Sequence, residues 1–175
     1  MIGLLRFMGL LNVAVWLGAA VFLILVAAPA STSTEMQELL SARNFPYFSV
    51  AIEQLLAPRF LHWYLGCSLV ALLHLVAEWL YLGRYPQRRW LALVLALCLG
   101  GLVQTFVVQP QLKQLHRLRF TRPDLSEAAY RSFQAWHKGS TALEVVLIGG
   151  MLLYLWRVAN PPDPTRFVSA SNFRG

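Results

Sequence analysis

Apolar residues gather in four long runs that are separated by more polar segments. Each run is close to the roughly 20 residues that a helix needs to cross the hydrocarbon core of a membrane. None has the strict alternation of a membrane β-strand. The pattern therefore predicts an all-α, integral membrane four-helix bundle within residues 1–160, followed by a flexible tail at 161–175. The four predicted spans are residues 7–30, 60–82, 90–108 and 138–158.

The first run needs separate consideration, because a leading apolar segment can be a signal peptide. Arg6 precedes its apolar residues, and the small residues Ala28, Pro29 and Ala30 end it. Its apolar core is longer than the roughly 7–15 residues of a signal peptide. We therefore expect it to stay in the protein as a helix, whereas cleavage would leave three helices.

The two long connections also carry helical patterns. Residues 34–37 read Thr-Glu-Met-Gln and fit a capping box that begins a short helix. Pro46 can begin another helix and Pro58 can end it. After Pro110, leucines recur every three residues among basic residues and predict an amphipathic extension of the third span, on which His116 is solvated. We expect these short amphipathic helices to lie at the membrane interface.

Composition strengthens the membrane interpretation. The chain is 57% hydrophobic and 13% charged, with a mean hydropathy of +0.52, whereas a soluble domain is about 45–50% apolar and about 25% charged. The net charge of +7 comes from residues that flank the apolar runs, as in membrane anchors, so no nucleic-acid partner is expected. Cys67 and Cys98 lie inside apolar runs and are predicted to be small buried hydrophobic residues.

Four spans place both termini on one side of the membrane. That side also holds the short connection between the second and third spans, with Arg84, Arg88 and Arg89. Basic residues are almost equally divided between the two sides. Three arginines lie in one very short connection, and by the positive-inside rule they predict that this side, with both termini, is cytoplasmic.

Polar and ionisable residues inside a span are costly, so each is a candidate for function. His62 and His137 lie at the entrances of the second and fourth spans, which run in the same direction. The two histidines therefore have the same predicted depth. Glu144 lies two turns deeper than His137 on nearly the same face. Thr141 falls between them on that face.

Gln104 completes this candidate site from the third span. It continues a stripe of small residues spaced by four, and such stripes let helices approach closely. Gln104 is therefore predicted to point into the bundle. The predicted cluster of His62, Gln104, His137 and Glu144 opens towards the long connections. The small stripe consists of Ala92, Ala96 and Gly100.

A second polar layer is predicted near the opposite face. It contains Asn12 in the first span, and His74 with Glu78 in the second. His74 and Glu78 are four residues apart and share one helix face. We expect Asn12 and Glu78 to form hydrogen bonds between helices, or Glu78 to reach the interface. His74 lies roughly 120° around the helix from His62, so the two cannot share one ligand.

A set of residues that runs from the first span to the fourth carries a resemblance to a known family: Trp16, Leu17, Gly18, Phe45, Pro46, His62, Gly66, Cys67, Gln109, Pro110, residues 133–137, Ser140 and Thr141. Taken in order, this set resembles the bacterial membrane proteins grouped with human transmembrane protein 205. The resemblance implies a four-helix membrane fold with a histidine at the mouths of the second and fourth spans, matching His62 and His137. It also implies a bacterial inner membrane location, and traffic or metal handling without a settled reaction. Glu144 and Lys138 depart from the family pattern, which has an asparagine and a small residue there.

The first functional hypothesis is a non-catalytic membrane protein. It would be a structural component, an accessory subunit, or a small binding or trafficking factor. The sequence has no nucleophile elbow, no phosphate loop and no acid placed to orient a histidine, so no catalytic residue is predicted. Its partners would be the lipid bilayer and other membrane subunits or a second copy of the chain.

Two other hypotheses stay open. His62 and His137 could supply axial ligands to a b-type haem, or one of them could hold the magnesium of another tetrapyrrole. Alternatively, the two histidines with Gln104 and Glu144 could bind a metal or another cation. The i, i+4 spacing of an ordinary helical metal pair is missing. The cofactor therefore stays unknown at this level.

Overall fold

The computed structural model describes residues 2–82 and 88–160, and nearly all of them are helical. The connection at 83–87 and the predicted tail at 161–175 lie outside the described residues. The elements in chain order are α1 (Ile2–Phe22), a π-helical turn (Leu23–Ala27), α2 (Ala28–Ser31), α3 (Thr34–Leu82), α4 (Arg88–Val103), a second π-helical turn (Gln104–Val108), α5 (Gln109–Thr121), a 3-10 turn (Pro123–Leu125) and α6 (Ser126–Ala159).

Four segments are long and apolar enough to cross a membrane, which confirms the all-α, multi-pass prediction at that level. We call them spans one to four: Gly3–Ser31, Arg43–Leu80, Arg88–Thr121 and Ser126–Ala159. Three of them are much longer than the predicted apolar runs. The helix after Pro110 continues span three, as predicted, whereas the helix predicted between Pro46 and Pro58 is part of span two rather than a separate interfacial helix.

The prolines of span two explain the largest difference from the sequence analysis. Pro46 and Pro58 both lie inside α3, rather than beginning and ending a separate helix. A proline inside a helix removes one backbone hydrogen bond and crowds the carbonyl four residues earlier, at a cost of about 3 kcal/mol. Packing against the other spans offsets that cost here. The helix breaks instead at Ser41, where φ is 61° and ψ is 151°.

The capping box is displaced by one residue. Thr34 is the first residue of α3, and Ser33 is its cap, because the Ser33 hydroxyl accepts a hydrogen bond from the backbone N–H of Met36 at 3.2 Å. Glu35 lies in this first turn. Its pKa is below the usual value, chiefly because the carboxylate accepts a hydrogen bond from its own backbone N–H, and also from Ser33.

Each π-helical turn ends just before a proline. The first turn precedes Pro29, and the second precedes Pro110. The wider π turn moves the preceding carbonyl away from the proline ring, which accommodates the proline without ending the helix. Both turns lie at the same end of the bundle, where the two long connections are. Such turns frequently occur at functional sites.

The four spans pack as a square. α1 and α4 each pack against α3 and α6, so span two lies diagonally across from span four. In the core, the ring of Trp16 meets that of Tyr64 edge-on, with centroids 4.9 Å apart. The Tyr64 hydroxyl donates to the carbonyl of Leu97 at 3.0 Å. Cys67 is buried in this core, and Cys98 is half-buried.

The outer surface of the bundle is apolar. Large hydrophobic side chains on every span are more than half exposed. A soluble monomer rarely exposes apolar surface on this scale, whereas a helix that faces lipid requires it. This surface suits contact with a bilayer. Examples are Leu4, Phe22, Leu73, Phe106, Val146 and Trp156.

Candidate functional site

A polar cavity opens at the end of the bundle where both π turns lie. Its volume is about 100 Å³, room for several waters, since one water needs roughly 10–15 Å³. Aliphatic side chains and Phe133 form the rest of the wall. We call it the polar cavity. Its polar lining residues are Glu53, Gln54, Gln109, His137, Ser140, Thr141 and Glu144.

Glu144 lies in a short hydrogen-bond network between spans three and four. The Gln104 side-chain Nε2 donates to Ser140 Oγ at 2.7 Å and to Glu144 Oε1 at 2.9 Å. The Ser140 hydroxyl lies 3.4 Å from the same carboxylate oxygen. Gln104 is 1% exposed, and its Oε1 has no hydrogen-bond partner among the described residues. The structure therefore brings Gln104 and Glu144 together, with one buried acceptor left over.

The helix face that directs Gln104 into the bundle is not the predicted stripe of small residues. Ala92 and Ala96 are exposed, because each step of four residues turns a helix about 40° beyond a full turn, so a strict four-residue stripe drifts off one face. The buried face steps by three and four instead, which keeps it directed at the core. Its residues are Val94, Leu97, Gly101, Gln104 and Val108.

Glu53 is a second carboxylate of the polar cavity, and the sequence analysis missed it. The hydroxyl of Ser31, which is 2% exposed, lies 2.6 Å from Glu53 Oε1. Glu53 was expected on an interfacial helix that ended at Pro58. Because α3 continues through that proline, Glu53 is part of span two and lines the polar cavity. A signal was present: the cavity-lining residues of this segment have i, i+3, i+4, i+7 spacing. They are Val50, Glu53, Gln54 and Ala57.

His137 and Thr141 lie at the rim of the cavity, and both are exposed. The imidazole of His137 stacks on the ring of Phe133, with centroids 5.9 Å apart and planes 9° apart. The Thr141 hydroxyl donates to the backbone carbonyl of His137 at 3.0 Å, so it serves the helix rather than the cavity. Of these two, His137 is the residue that can meet a ligand.

His62 is not part of this cluster, which corrects the predicted four-residue site. It is exposed, and its Nδ1 is hydrogen-bonded to the carbonyl of Pro58. Its ring lines a different depression, between spans one and two, that we call the outer groove and that also includes Leu11, Val15, Arg59, Trp63, Gly66 and Val70. Spans two and four are diagonal, and His62 faces away from span four. His62 and His137 therefore do not bracket one haem within the chain.

The second polar layer is divided between two places. Asn12 Nδ2 donates to the carbonyl of Cys67 at 3.0 Å, within the wall between spans one and two. The Nε2 of His74 lies 3.1 Å from the carbonyl of Leu5. Glu78 forms an ion pair with Arg157 of span four. Asn12 and Glu78 thus both join helices to each other, at different positions.

His116 is buried rather than solvated, with 3% of its surface exposed. Its ring stacks on that of Tyr47 at 5.1 Å and also contacts the rings of Phe120 and Phe133. The predicted basic helix after Pro110 is therefore packed against spans two and four. This aromatic cluster holds the outer ends of spans two to four together and fixes Phe133 in the cavity wall.

The donor set of the polar cavity does not match a transition-metal site. Within residues 2–82 and 88–160, no group of three or more His, Cys, Asp or Glu side chains is placed to hold a metal ion. A zinc site normally uses three or four such ligands. Carboxylate, amide and hydroxyl oxygens instead suit a hard cation that keeps part of its water, or an ammonium group.

No family model, no curated protein and no solved structure matches this chain. The relationship to the transmembrane protein 205 group therefore stays a prediction. The function has to rest on the geometry of the polar cavity.

Proposed function

We propose that this protein is a multi-pass integral membrane protein that works as a small binding or trafficking factor, with the polar cavity as the binding site for a small cation. The observation that carries the proposal is the pair of carboxylates, Glu53 and Glu144, that line one cavity. No lysine or arginine occurs among the described residues that line it. The electrostatic potential of such a cavity favours a positively charged ligand.

The hydrogen bonds of the two carboxylates support the same ligand chemistry. Among the described residues, the hydrogen-bond partners of both carboxylates are neutral side chains: Ser31 at Glu53, and Gln104 with Ser140 at Glu144. These bonds use Oε1 of each residue and leave Oε2 for a ligand. A carboxylate inside a span is costly without a positive partner. A bound cation would supply that partner to both residues at once.

The location of the protein is part of this proposal. We place it in a bacterial inner membrane with both termini in the cytoplasm, on the basis of the positive-inside rule and the resemblance described above. The polar cavity would then open on the opposite side, because it lies at the end that holds both long connections. Other membrane subunits, or a second copy, would pack on the apolar outer faces of the spans.

Thermal unfolding of the full chain in detergent tests the binding site. The probes are NaCl, KCl, CaCl₂ and ethylammonium chloride, with ionic strength held constant by N-methylglucamine chloride. A ligand at 100 times its Kd stabilises the folded state by about 2.7 kcal/mol. We expect at least one probe to raise the Tm of the wild-type chain, and the rise to be lost in Glu53→Gln and in Glu144→Gln.

The matched control is Glu38→Gln. Glu38 is an exposed carboxylate on α3 outside the polar cavity, so this variant should keep the full Tm rise. If no probe raises the Tm, or if both cavity variants keep the rise, the cavity does not bind a small cation.

A further inference from the structure

The outer groove is a second cavity, separate from the polar cavity. It lies between spans one and two, is open along one side and encloses about 710 Å³. Leu11 and Val15 of α1 form one wall, and α3 forms the other. A groove on the outer surface of a membrane bundle faces the lipid, so its chemistry indicates which lipid would lie in it.

The α3 wall changes from charged to apolar along its length. Arg59, Trp63, Gly66 and Val70 follow i, i+4, i+7, i+11 spacing and so occupy one helix face. Eleven residues of helix rise by roughly 16 Å, about half of a 30 Å hydrocarbon core. No Asp, Glu, Lys or Arg occurs in the sequence between Arg59 and Glu78. The groove therefore begins at a cation and continues as an apolar channel about one leaflet deep.

The protein does not fill this channel. A Cβ added at Gly66 would meet no atom within 4 Å, so the space in front of this residue is open. Asn12 also lines the groove, and its side-chain amide donates to the backbone carbonyl of Cys67 at 3.0 Å. The middle of the groove therefore presents an apolar surface that suits an acyl chain.

The charged end has the chemistry of a phosphate site. The Arg59 side chain is exposed, and a guanidinium can bind phosphate through two parallel hydrogen bonds. Since a carbonyl oxygen can only accept, the bond between His62 and Pro58 places the proton on Nδ1 and leaves Nε2 for another partner. Trp63 is 52% exposed, as expected of an indole at the headgroup level.

We propose that the outer groove binds one anionic phospholipid, with its phosphate on Arg59 beside His62 and one acyl chain lying along Gly66 and Val70. The proposal is independent of the polar cavity, since the two share no lining residue. Charge decides the class of lipid, because Arg59 is the group that can distinguish an anionic headgroup from a zwitterionic one.

Native mass spectrometry of the full chain tests this proposal. The purified protein is delipidated in mild detergent and mixed with equal amounts of dioleoyl phosphatidylglycerol and dioleoyl phosphatidylcholine. We expect one retained phosphatidylglycerol, preferred about tenfold, the size of effect that one charged hydrogen bond supplies. Arg59→Gln should remove the preference. Gly66→Leu should reduce retention of both lipids by filling the open channel.

Two matched controls separate this effect from general damage. Arg43→Gln removes an exposed arginine elsewhere on the same helix, and Gly149→Leu fills open space on span four. Both should retain lipid as the wild type does. Equal retention of the two lipids by the wild type, or an unchanged preference in Arg59→Gln, would overturn the proposal. So would a wild-type dimer that Gly66→Leu dissociates, because a second copy would then occupy the groove.

Discussion

The two ends of the bundle each hold a glutamate inside a span, and they surround it differently. At one end, Glu78 of span two forms an ion pair with Arg157 of span four, and both side chains are less than one-fifth exposed. At the other end, the hydrogen-bond partners of Glu144 among the described residues are the neutral side chains of Gln104 and Ser140. One carboxylate thus has an arginine partner within the chain, whereas the other faces a cavity whose described lining residues include His137 but no lysine or arginine.

The packing around the two glutamates differs in the same way. Near Glu78, helix α1 approaches span two so closely that a Cβ at Gly9 would lie 2.3 Å from the His74 Nε2. Near Glu144, the spans leave a cavity of about 100 Å³, which residues of the first π turn line in part. An ionisable residue inside a span is therefore structural where it has a charged partner and close packing. Where both are missing, as at Glu144, it is a candidate for the cation binding proposed above.

Arg157→Leu should have the largest effect on stability. It leaves the Glu78 carboxylate without a positive partner inside the bundle, and breaking a buried pair in this way costs about 3–5 kcal/mol. The measurement is the free energy of unfolding in detergent. A loss below about 1 kcal/mol, the value of a surface ion pair, would mean that this end is not held by the pair.

The control for that variant removes both charges. In Glu78→Leu with Arg157→Leu, no unpaired charge is left, and apolar replacement of a buried pair is often neutral or stabilising. The double variant should therefore recover most of the stability that Arg157→Leu loses. If it is as unstable as the single variant, the loss arises from the Arg157 side-chain packing rather than from the isolated carboxylate.

Gly9→Ala should have an intermediate effect. Its new methyl group would overlap the His74 ring, which would have to move away from the carbonyl of Leu5 that it contacts. Overpacking of this kind costs about 1–3 kcal/mol. The matched variant is Gly18→Ala on the same helix, where a Cβ meets nothing within 4 Å, and there alanine should stabilise by about 0.5–1 kcal/mol. Equal unfolding free energies would show that α1 is not tightly packed at Gly9.

The sequence predicts the spans well because few structures can bury about 20 apolar residues in a membrane. It does not predict where the helices end. Pro46 and Pro58 have the local signature of helix boundaries, yet α3 passes through both of them. Whether the helix ends at these prolines depends on packing against span three and span four, such as the stacking of Tyr47 on His116. This contact is between residues far apart in the chain.

The candidate site was predicted in part for a related reason. Spacing along one helix gives the relative depth and face of His137 and Glu144, and both line the polar cavity. Spacing along one helix does not show which neighbouring helix a side chain faces. The sequence analysis therefore places His62 in the site, although it faces the outer groove. Glu53 was missed because its assignment depended on the helix boundary at Pro58. Both errors come from contacts between spans, which local periodicity does not encode.

The smallest effect is expected from glutamine at the cavity end, and it compares the two ends with one substitution. Glu144→Gln keeps an oxygen for Gln104 and removes a carboxylate that has no lysine or arginine partner among the described cavity residues, so the unfolding free energy should change by less than about 1 kcal/mol, or rise. Glu78→Gln removes the charge that faces Arg157 and should cost about 1.5–3 kcal/mol. The measurement is again unfolding in detergent, without added probe cations. Equal losses in the two variants would mean that Glu144 supports the fold as Glu78 does. A small change at Glu144 alone would show that stability does not require this carboxylate. That result is expected if Glu144 serves to bind a ligand.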